Sequence, residues 1–522
     1  MIYMKTGRTL FAVFAALLVI CFAAACAEEP AFRPADLPVV YIEIDGGQAE
    51  IEKMNTSMDH SYRCSGTMDI IVPDGYSGQF EGRYPQESVK GLQLDYIRGR
   101  GNGTWNMSKL PYKIKLAEKQ DLFGMGKNKQ WVLIANYFDN SMMRNWLTEW
   151  VGEQVGLEYT PQGVFVEVVM NGEYLGNYYL CEQVRTGKHR VAIDELKEEN
   201  TELPEIQGGY LLEFAPDDWD SPDAFETARG VRFGNMDPSF NTEDDGYAND
   251  AQMNYIRDYI QKAEDAIFAR DGSYTEYIDP VSLADYWWIM EFSANGDAFR
   301  TDSAHMFKKR YEEDGSEGKL HFGPLWDFDD AWGCSMPEVT QTIGFNNTYF
   351  LWIDELRTQP EFREILEERW QVLDAKLGEL VAEGGALDRM AALLKDAWAR
   401  DDNRWHASHV EDETEAGRNF EEEVEMLRDY INLRRDWINT NMDRLGLIYF
   451  KLTVRGEGIE EETYDISCDS YVDLYMLEPA VPDGMELAGF ELEDGTPAVD
   501  FILMDRDITL TVIFEPDAQT GS

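Results

Sequence analysis

At 522 residues the chain exceeds one ordinary compact unit, and roughly two or three domains are expected. Its 44% hydrophobic and 13% aromatic residues are those of a globular protein and exclude a disordered one. The 46 basic against 99 acidic residues leave a net charge of -53. Such a surface repels nucleic acid and anionic membranes, so no nucleic-acid partner is expected and an anion needs a local basic pocket.

The N-terminus has the form of an export signal over residues 1–26. Lys5 and Arg8 precede the apolar run "FAVFAALLVICFAAA", which is short for a membrane span. Cleavage before Cys26, with a lipid anchor on that cysteine, makes a cell-surface lipoprotein. Ordinary cleavage in the Ala-rich stretch makes a secreted protein. No later segment approaches about 20 uncharged apolar residues. Cys64, Cys181, Cys334 and Cys468 are far apart and lack metal-ligand spacing, so they are expected to be structural or free.

A Pro-containing linker (27–38) leads to the first strands at "VVYIEI", and residues 60–115 are strand-rich. "SMMRNWLTEWVGEQVGL" (141–157) predicts a helix capped around Asp139 to Ser141 and ended by Gly156. Next, "VFVEVVMNGEYLGNYYL" predicts a hairpin about the Asn171-Gly172 turn. Residues 204–250 read as acidic loop. Helix is expected from about 251, interrupted by a second hairpin within "HMFKKRYEEDGSEGKLHFGPLWDF". The stretch 351–447 is nearly all helix, with Val424, Leu427, Ile431, Ile438, Met442 and Leu445 on one apolar face. Beyond Gly446, short β runs alternate with Gly, Pro and Asp turns, predicting a small all-β module over 448–522.

Charge is unevenly distributed. Between Arg98 and Arg190 there are 12 Lys and Arg against 9 Asp and Glu. The basic residues fall in "RGRGNGTW", "KLPYKIKL" and "RTGKHR". Glycines beside arginines let backbone N–H groups approach an anion, and the guanidinium fork grips phosphate. A Lys-protected strand edge is the plainer reading of each cluster alone. Lys113 and Lys115, two apart, share one strand face, and an inward lysine needs a carboxylate such as Glu149 or Glu153.

The acidic counterpart lies downstream in "GPLWDFDDAWG". Asp327 and Asp329 are expected on one face of an extended segment with Phe328 turned away, a spacing that suits two oxygens on Mg2+ or Mn2+. Asp297 precedes Asp302 by five residues and Ser303 by six. That order suits phosphoryl transfer: a base for the acceptor hydroxyl, a metal-binding polar residue, then a metal-binding Asp at a strand end. A helix-end cap is the structural alternative for Asp297. His406 and His409 read as exposed residues of a polar loop.

Taken in series, several segments resemble the CotH kinase family of atypical protein kinases. They are "RGNGTW" with "KLPYKIKL", "LFGMGKNKQWVLIANYFDNSMMRN", "VEVVMNGEYLGNYYLCEQVRTGKHRV", "GGYLLEF", "NGDAFRTDSAHMFKKR" and "GKLHFGPLWDFDDAWG". The resemblance spans roughly 40 to 447 and implies an α+β, two-lobed kinase-like body over 39–447, mainly helical in its C-terminal part. It also implies ATP with Mg2+ or Mn2+ as cofactors, and transfer to Ser or Thr of protein partners. Carried across, Lys113 or Lys115 contacts phosphate, and helix 141–155, carrying Glu149, is the regulatory-type helix. "YYLCEQV", with Glu182, is the strand and hinge beside adenine. Arg100, Asn102, Arg185 and Lys188 complete the nucleotide set. Asp297 becomes the catalytic Asp, and Asp327, Asp329, Asp302 and Ser303 the metal set. The chain departs from ordinary kinases in having no GxGxxG loop or HRD triplet, and in Asp302-Ser303 where they carry Asn. The C-terminal β module is similar to repeat modules of bacterial surface proteins.

Two functions follow. One is an exported, metal-dependent protein kinase acting on secreted or surface proteins. The other is a non-catalytic surface adhesin or binding lipoprotein on a kinase-like scaffold. A metal-dependent hydrolase is a third and lacks a protein nucleophile, although a metal-bound water serves such enzymes.

Overall fold

The structure, a computed structural model, describes residues 37–516 except Glu81, 215–222, 237–248, Ala298, 300–302, 335–341, 346–349, 410–418 and Glu478. The N-terminal export segment and Cys26 therefore lie outside the described residues.

Strands β1 (Val39–Ile44), β2 (Cys64–Ile71), β3 (Val89–Gly99), β4 (Tyr112–Asp121), β5 (Lys127–Ile134), β6 (Gly163–Met170) and β7 (Glu173–Glu182) close into one barrel, in the order β1-β2-β3-β4-β5-β7-β6. All neighbours are antiparallel except β1 and β6, which run parallel from Val39 opposite Glu167. The predicted hairpin is β6–β7. Met170 faces Glu173 across a two-residue turn in which Asn171 and Gly172 have φ of 48° and 81°, both left-handed.

Alternation explains how the barrel joins the rest of the molecule. Trp131 and Leu133 of β5, Val164, Val166 and Val168 of β6, and Tyr178 and Leu180 of β7 fill the barrel interior. Val132, Phe165, Tyr179 and Cys181 point outward into a larger aromatic core. Strands buried on both faces read as continuous apolar runs, as "VFVEVV" does.

Helix α1 (Gln48–Asn55) follows β1, and α2 (Arg144–Val155) lies between β5 and β6. The predicted cap of α2 is realised at a distance: Asp139 accepts from the N–H groups of Ser141 (2.9 Å) and Arg144 (2.7 Å). Gly156, at φ 91°, ends it.

The larger core is built by α3 (Asp250–Ala269), α4 (Pro280–Ser293), α5 (Leu351–Arg357), α6 (Pro360–Val381), α7 (Ala386–His409) and α8 (Phe420–Thr440). Helix α4 is mostly apolar and buried throughout its last eleven residues, including Tyr286, Trp287 and Trp288. Asp279 caps it by accepting from Ser282 N–H at 2.7 Å, Pro280 occupies its first turn, and Ala294, at φ 51°, stops it. Helix α8 opens with a capping box, Asn419 with Glu422, and buries Val424, Leu427, Ile431 and Ile438.

Residues 204–250, expected as loop, instead supply β8 (Tyr210–Phe214), β9 (Ala224–Glu226) and β10 (Arg232–Asn235). These join β11 (His305–Lys308) and β12 (Leu320–Phe322) in a five-stranded sheet ordered β12-β11-β8-β10-β9. Runs of three to five residues leave little local periodicity to read. The second predicted hairpin is β11–β12, with Met306 opposite Phe322.

Beyond α8, strands β13 (Tyr449–Gly456), β14 (Glu462–Ser467), β16 (Met485–Leu492), β17 (Pro497–Ala498) and β19 (Ile508–Pro516) form a second five-stranded sheet. The pair β15 (Tyr471–Asp473) and β18 (Phe501–Leu503) packs beside it over a separate core that includes Leu452, Phe490, Met504 and Leu510. The molecule is thus mixed α/β. A closed seven-stranded barrel stands where the resemblance implied the first lobe of a kinase-like pair. The four cysteines among the described residues form no disulfide with one another. No helix among the described residues is long and apolar enough to cross a membrane.

Candidate nucleotide and metal cleft

A cleft of about 800 Å3 opens between the barrel and the helical body. Its barrel side carries the end of β3 with Arg98, the turn from Arg100 to Thr104, Lys113 of β4, Asn136 after β5 and Gln183 after β7. The opposite side carries Asn295 and Asp297 after α4, Ser303 before β11, and Trp326, Asp327, Asp329 and Asp330 after β12. Basic groups therefore line one wall and carboxylates the other.

The β3–β4 turn is shaped by its glycines. A Cβ on Gly99 would stand 2.1 Å from the Trp105 ring, and one on Gly101, at φ 87°, 2.4 Å from Thr104 Oγ1. The Arg100 guanidinium lies over the Trp326 ring at 5.3 Å and so spans the two walls. Since Tyr112, Ile114 and Leu116 face the barrel interior, Lys113 and Lys115 both point outward, as their spacing predicts. Lys113 reaches the cleft. Lys115, one pleat further along, binds Asp95 Oδ2 at 2.9 Å and does not line it.

The aspartate loop departs from the expected extended strand. Asp327 sits at φ 64°, in the left-handed region, so the alternation of a flat strand does not apply there. Asp327 is exposed to the cleft, whereas Phe328 and Asp329 are buried. The two carboxyl groups still meet: burial, then the negative charges of Asp327 and Asp139, push the Asp329 carboxyl well above the usual range, and Asp327 hydrogen-bonds to it. Two acidic groups in contact, one of them buried, favour a proton or a cation between them. An all-oxygen donor pair fits a hard divalent ion that takes its remaining ligands from phosphate and water. No cluster of three or more His, Cys, Asp or Glu arranged for a metal occurs among the described residues. Asp302 lies outside the described residues, and so do the side chains of His406 and His409 at the end of α7.

The loop is gripped from two directions. Asn295 Nδ2 donates to the Asp327 carbonyl at 3.1 Å, and Phe328 N–H donates to Asn145 Oδ1 at 2.8 Å. Arg144 Nε reaches the Ala331 carbonyl at 2.9 Å, and Trp332 Nε1 reaches Thr148 Oγ1 at 2.8 Å. The start of α2 therefore holds the aspartate loop directly.

Of the expected nucleotide-site residues, Arg100, Asn102 and Lys113 meet in the cleft together with Asp297, Ser303, Asp327 and Asp329. Others stand elsewhere. Glu149 faces away from the lysines, into a pocket beside Phe80 and Trp146, where it accepts from Tyr179 Oη. Burial pushes its carboxyl well up. Glu153 pairs with Arg83 at 2.5 Å. Neither can partner a cleft lysine, because the face of α2 that meets the barrel is fixed by Trp146 and Val151 in the core. Glu182 is buried in a pair with Arg190, Arg185 turns to Gln130, and Lys188 is exposed outside the cleft. Arg98 and Gln183 line the cleft from within the segments "RGRGNGTW" and "YYLCEQV" that the sequence pointed to, whereas His60, Asn136 and Asn295 line it without having been singled out. Only the position of Asn295, two residues before Asp297, offered a signal.

A model of the CotH kinase protein family matches residues 97–438, about two thirds of the chain. The chain belongs to the CotH kinase family. No curated protein matches it at a significant level. The matched stretch takes in every cleft residue from Arg98 to Asp330, leaving out His60, and stops before the C-terminal β module. Membership of the CotH kinase family marks the chain as kinase-like.

Proposed function

We propose that the protein is an exported, metal-dependent protein kinase that moves the γ-phosphate of ATP to Ser or Thr of secreted or surface proteins. The observation that carries this reading is the division of the cleft into a basic wall (Arg98, Arg100, Lys113) and a carboxylate wall (Asp297, Asp327, Asp329). A triphosphate carrying a divalent cation presents complementary charge to both.

In this reading Arg100, Asn102 and Lys113 hold the phosphates, and Gln183 faces the base. Asp327 and Asp329 would hold Mg2+ or Mn2+, which supplies neutralisation of charge on the phosphates when bound. Asp297, exposed at the cleft mouth, takes the proton of the acceptor hydroxyl. The hydroxyl oxygen bonds to the γ-phosphorus as the bond from that phosphorus to the β–γ bridging oxygen breaks. ADP leaves with the electron pair. The apolar segment after Lys5 and Arg8 supports export, and with it protein partners outside the cytoplasm.

Thermal unfolding with ATP and Mn2+ or Mg2+ tests the reading. Ligand at about 100 times its Kd stabilises the native state by about 2.7 kcal/mol. A Tm rise that requires the metal, is lost in Asp327→Ala and persists in Asp297→Ala is expected. Phosphate incorporation into protein, measured by mass spectrometry, should vanish in both variants. No shift with any nucleotide and metal pair sinks the kinase reading.

A further inference from the structure

The peptide group joining Asp327 to Phe328 is held at both ends by asparagine side chains. Its carbonyl accepts from Asn295 Nδ2 at 3.1 Å, and its N–H donates to Asn145 Oδ1 at 2.8 Å. Each asparagine has a second engagement. Asn295 Oδ1 accepts from Asp297 N–H at 3.0 Å, and Asn145 Nδ2 donates to Asn136 Oδ1 at 3.1 Å. Asn136, whose own Nδ2 donates to the Met142 carbonyl at 3.1 Å, belongs to the barrel wall of the cleft. All three asparagines are buried, each at 4 or 5% exposure.

We infer that Asn295 is a positioning residue that sets the separation between Asp297 and the Asp327 carboxylate, with Asn145 tying the same peptide to the barrel wall. This rests on the phosphotransfer reading above, in which Asp297 is the base and Asp327 a metal ligand. The backbone explains why a clamp is needed. Asp327 lies at φ 64°, a conformation a non-glycine residue leaves unless neighbouring groups hold it. Asn295 follows the left-handed Ala294 that ends α4, so its side chain is fixed to a rigid helix rather than to the loop it holds. An amide is required: one oxygen must accept from Asp297 while one nitrogen donates to Asp327. Asp297, Asn295, the 327–328 peptide, Asn145 and Asn136 thus form one hydrogen-bonded line from the base to the barrel.

Asn295→Ala removes both bonds, and Asn295→Asp keeps the shape and the acceptor but loses the donor. Supporting groups of this kind typically carry about 10–100-fold in activity. For Asn295→Ala, kcat should fall by about that factor while KM for ATP stays within about threefold. Amide hydrogen exchange at Asp297 should accelerate. In Asn295→Asp, kcat should recover as the pH is lowered, because the protonated carboxyl regains a donor for the Asp327 carbonyl. If Asn295→Ala fails to fold, the isosteric Asn295→Asp carries the test alone.

Unchanged kcat with wild-type metal-dependent turnover overturns the inference and leaves the kinase reading standing. So does a loss of kcat matched by an equal rise in KM, with no recovery at low pH, since the side chain then serves nucleotide binding rather than the spacing of base and metal ligand. A wild-type protein that shows no metal-dependent nucleotide binding overturns both.

Discussion

Gln183 lines the cleft, and its buried side-chain oxygen has no hydrogen-bond partner among the described residues. A buried acceptor left unsatisfied costs about 1–3 kcal/mol. A ligand bearing an N–H donor, such as a nucleotide base, removes the cost on binding. Gln183→Leu should therefore act in opposite directions on two measurements. The ligand-free Tm should rise by a few degrees, roughly 2–4 °C per kcal/mol in a unit of this size. The Kd for ATP by calorimetry should weaken by about tenfold. A lower Tm with unchanged Kd would show that the amide is structural. At this scale the sequence was only half legible. Asp297, Asp327 and Lys113 stood out because carboxylates and lysines among aromatics need a reason, and the cleft contains all three. Gln183, Asn295 and Asn145 are neutral amides with no spacing of their own, and their roles depend on contacts as far as 183 residues apart. The strand-like alternation expected at 327–329 failed for a local reason, the left-handed backbone of Asp327.

Helix α7 is fastened to the barrel by a buried ion pair. Lys109 Nζ meets Asp401 Oδ1 at 2.8 Å, with both side chains under 5% exposed, and the same carboxylate oxygen accepts from Asn177 N–H at 2.7 Å. Removing one member of such a pair strands the other charge, at a cost of about 3–5 kcal/mol. Lys109→Met should lower stability by that amount in urea unfolding. Adding Asp401→Asn, which keeps an acceptor for Asn177 but no charge, should restore a large part of it. If the single variant is neutral, the pair is solvated and does not fasten α7. Neither partner announces the other in sequence, being 292 residues apart. The elements themselves were easier. Helix α2, the β6–β7 hairpin and α8 all carry their signals within a dozen or so neighbouring residues, in the forms of cap, turn and apolar stripe. Strands β8, β9 and β10 do not, because their stability comes from β11 and from each other.

For the whole molecule, pH acts through buried carboxyl groups and through total charge. Burial pushes Glu182 up to about 7 against the pull of Arg190, and pushes Asp285 and Asp354 up to about 6 against Arg369 and Arg357. In the unfolded chain these groups return to roughly 4 to 4.5. Between those values the folded state binds more protons than the unfolded one. The stabilisation is complete below the unfolded values and is lost as pH rises through about 6 to 7. A net charge of -53 works in the same sense, since self-repulsion grows with ionisation and relaxes with salt. Tm should therefore climb as pH is lowered from about 8 to about 5.5, and added salt should lessen the dependence. A flat profile at low salt would mean that these carboxyl groups are paired and charged throughout.

The parallel junction of β1 with β6 has a consequence in time rather than in space. Val39 waits for Glu167, roughly 130 residues later, before the barrel is shut, and long-range parallel pairing of this kind is slow. On a chain emerging N-terminus first, β1 can pair with β2 early but keeps its other edge open until β6 appears. For that interval an apolar strand edge of the barrel is available to any passing strand, and whatever covers it governs the yield of folded protein.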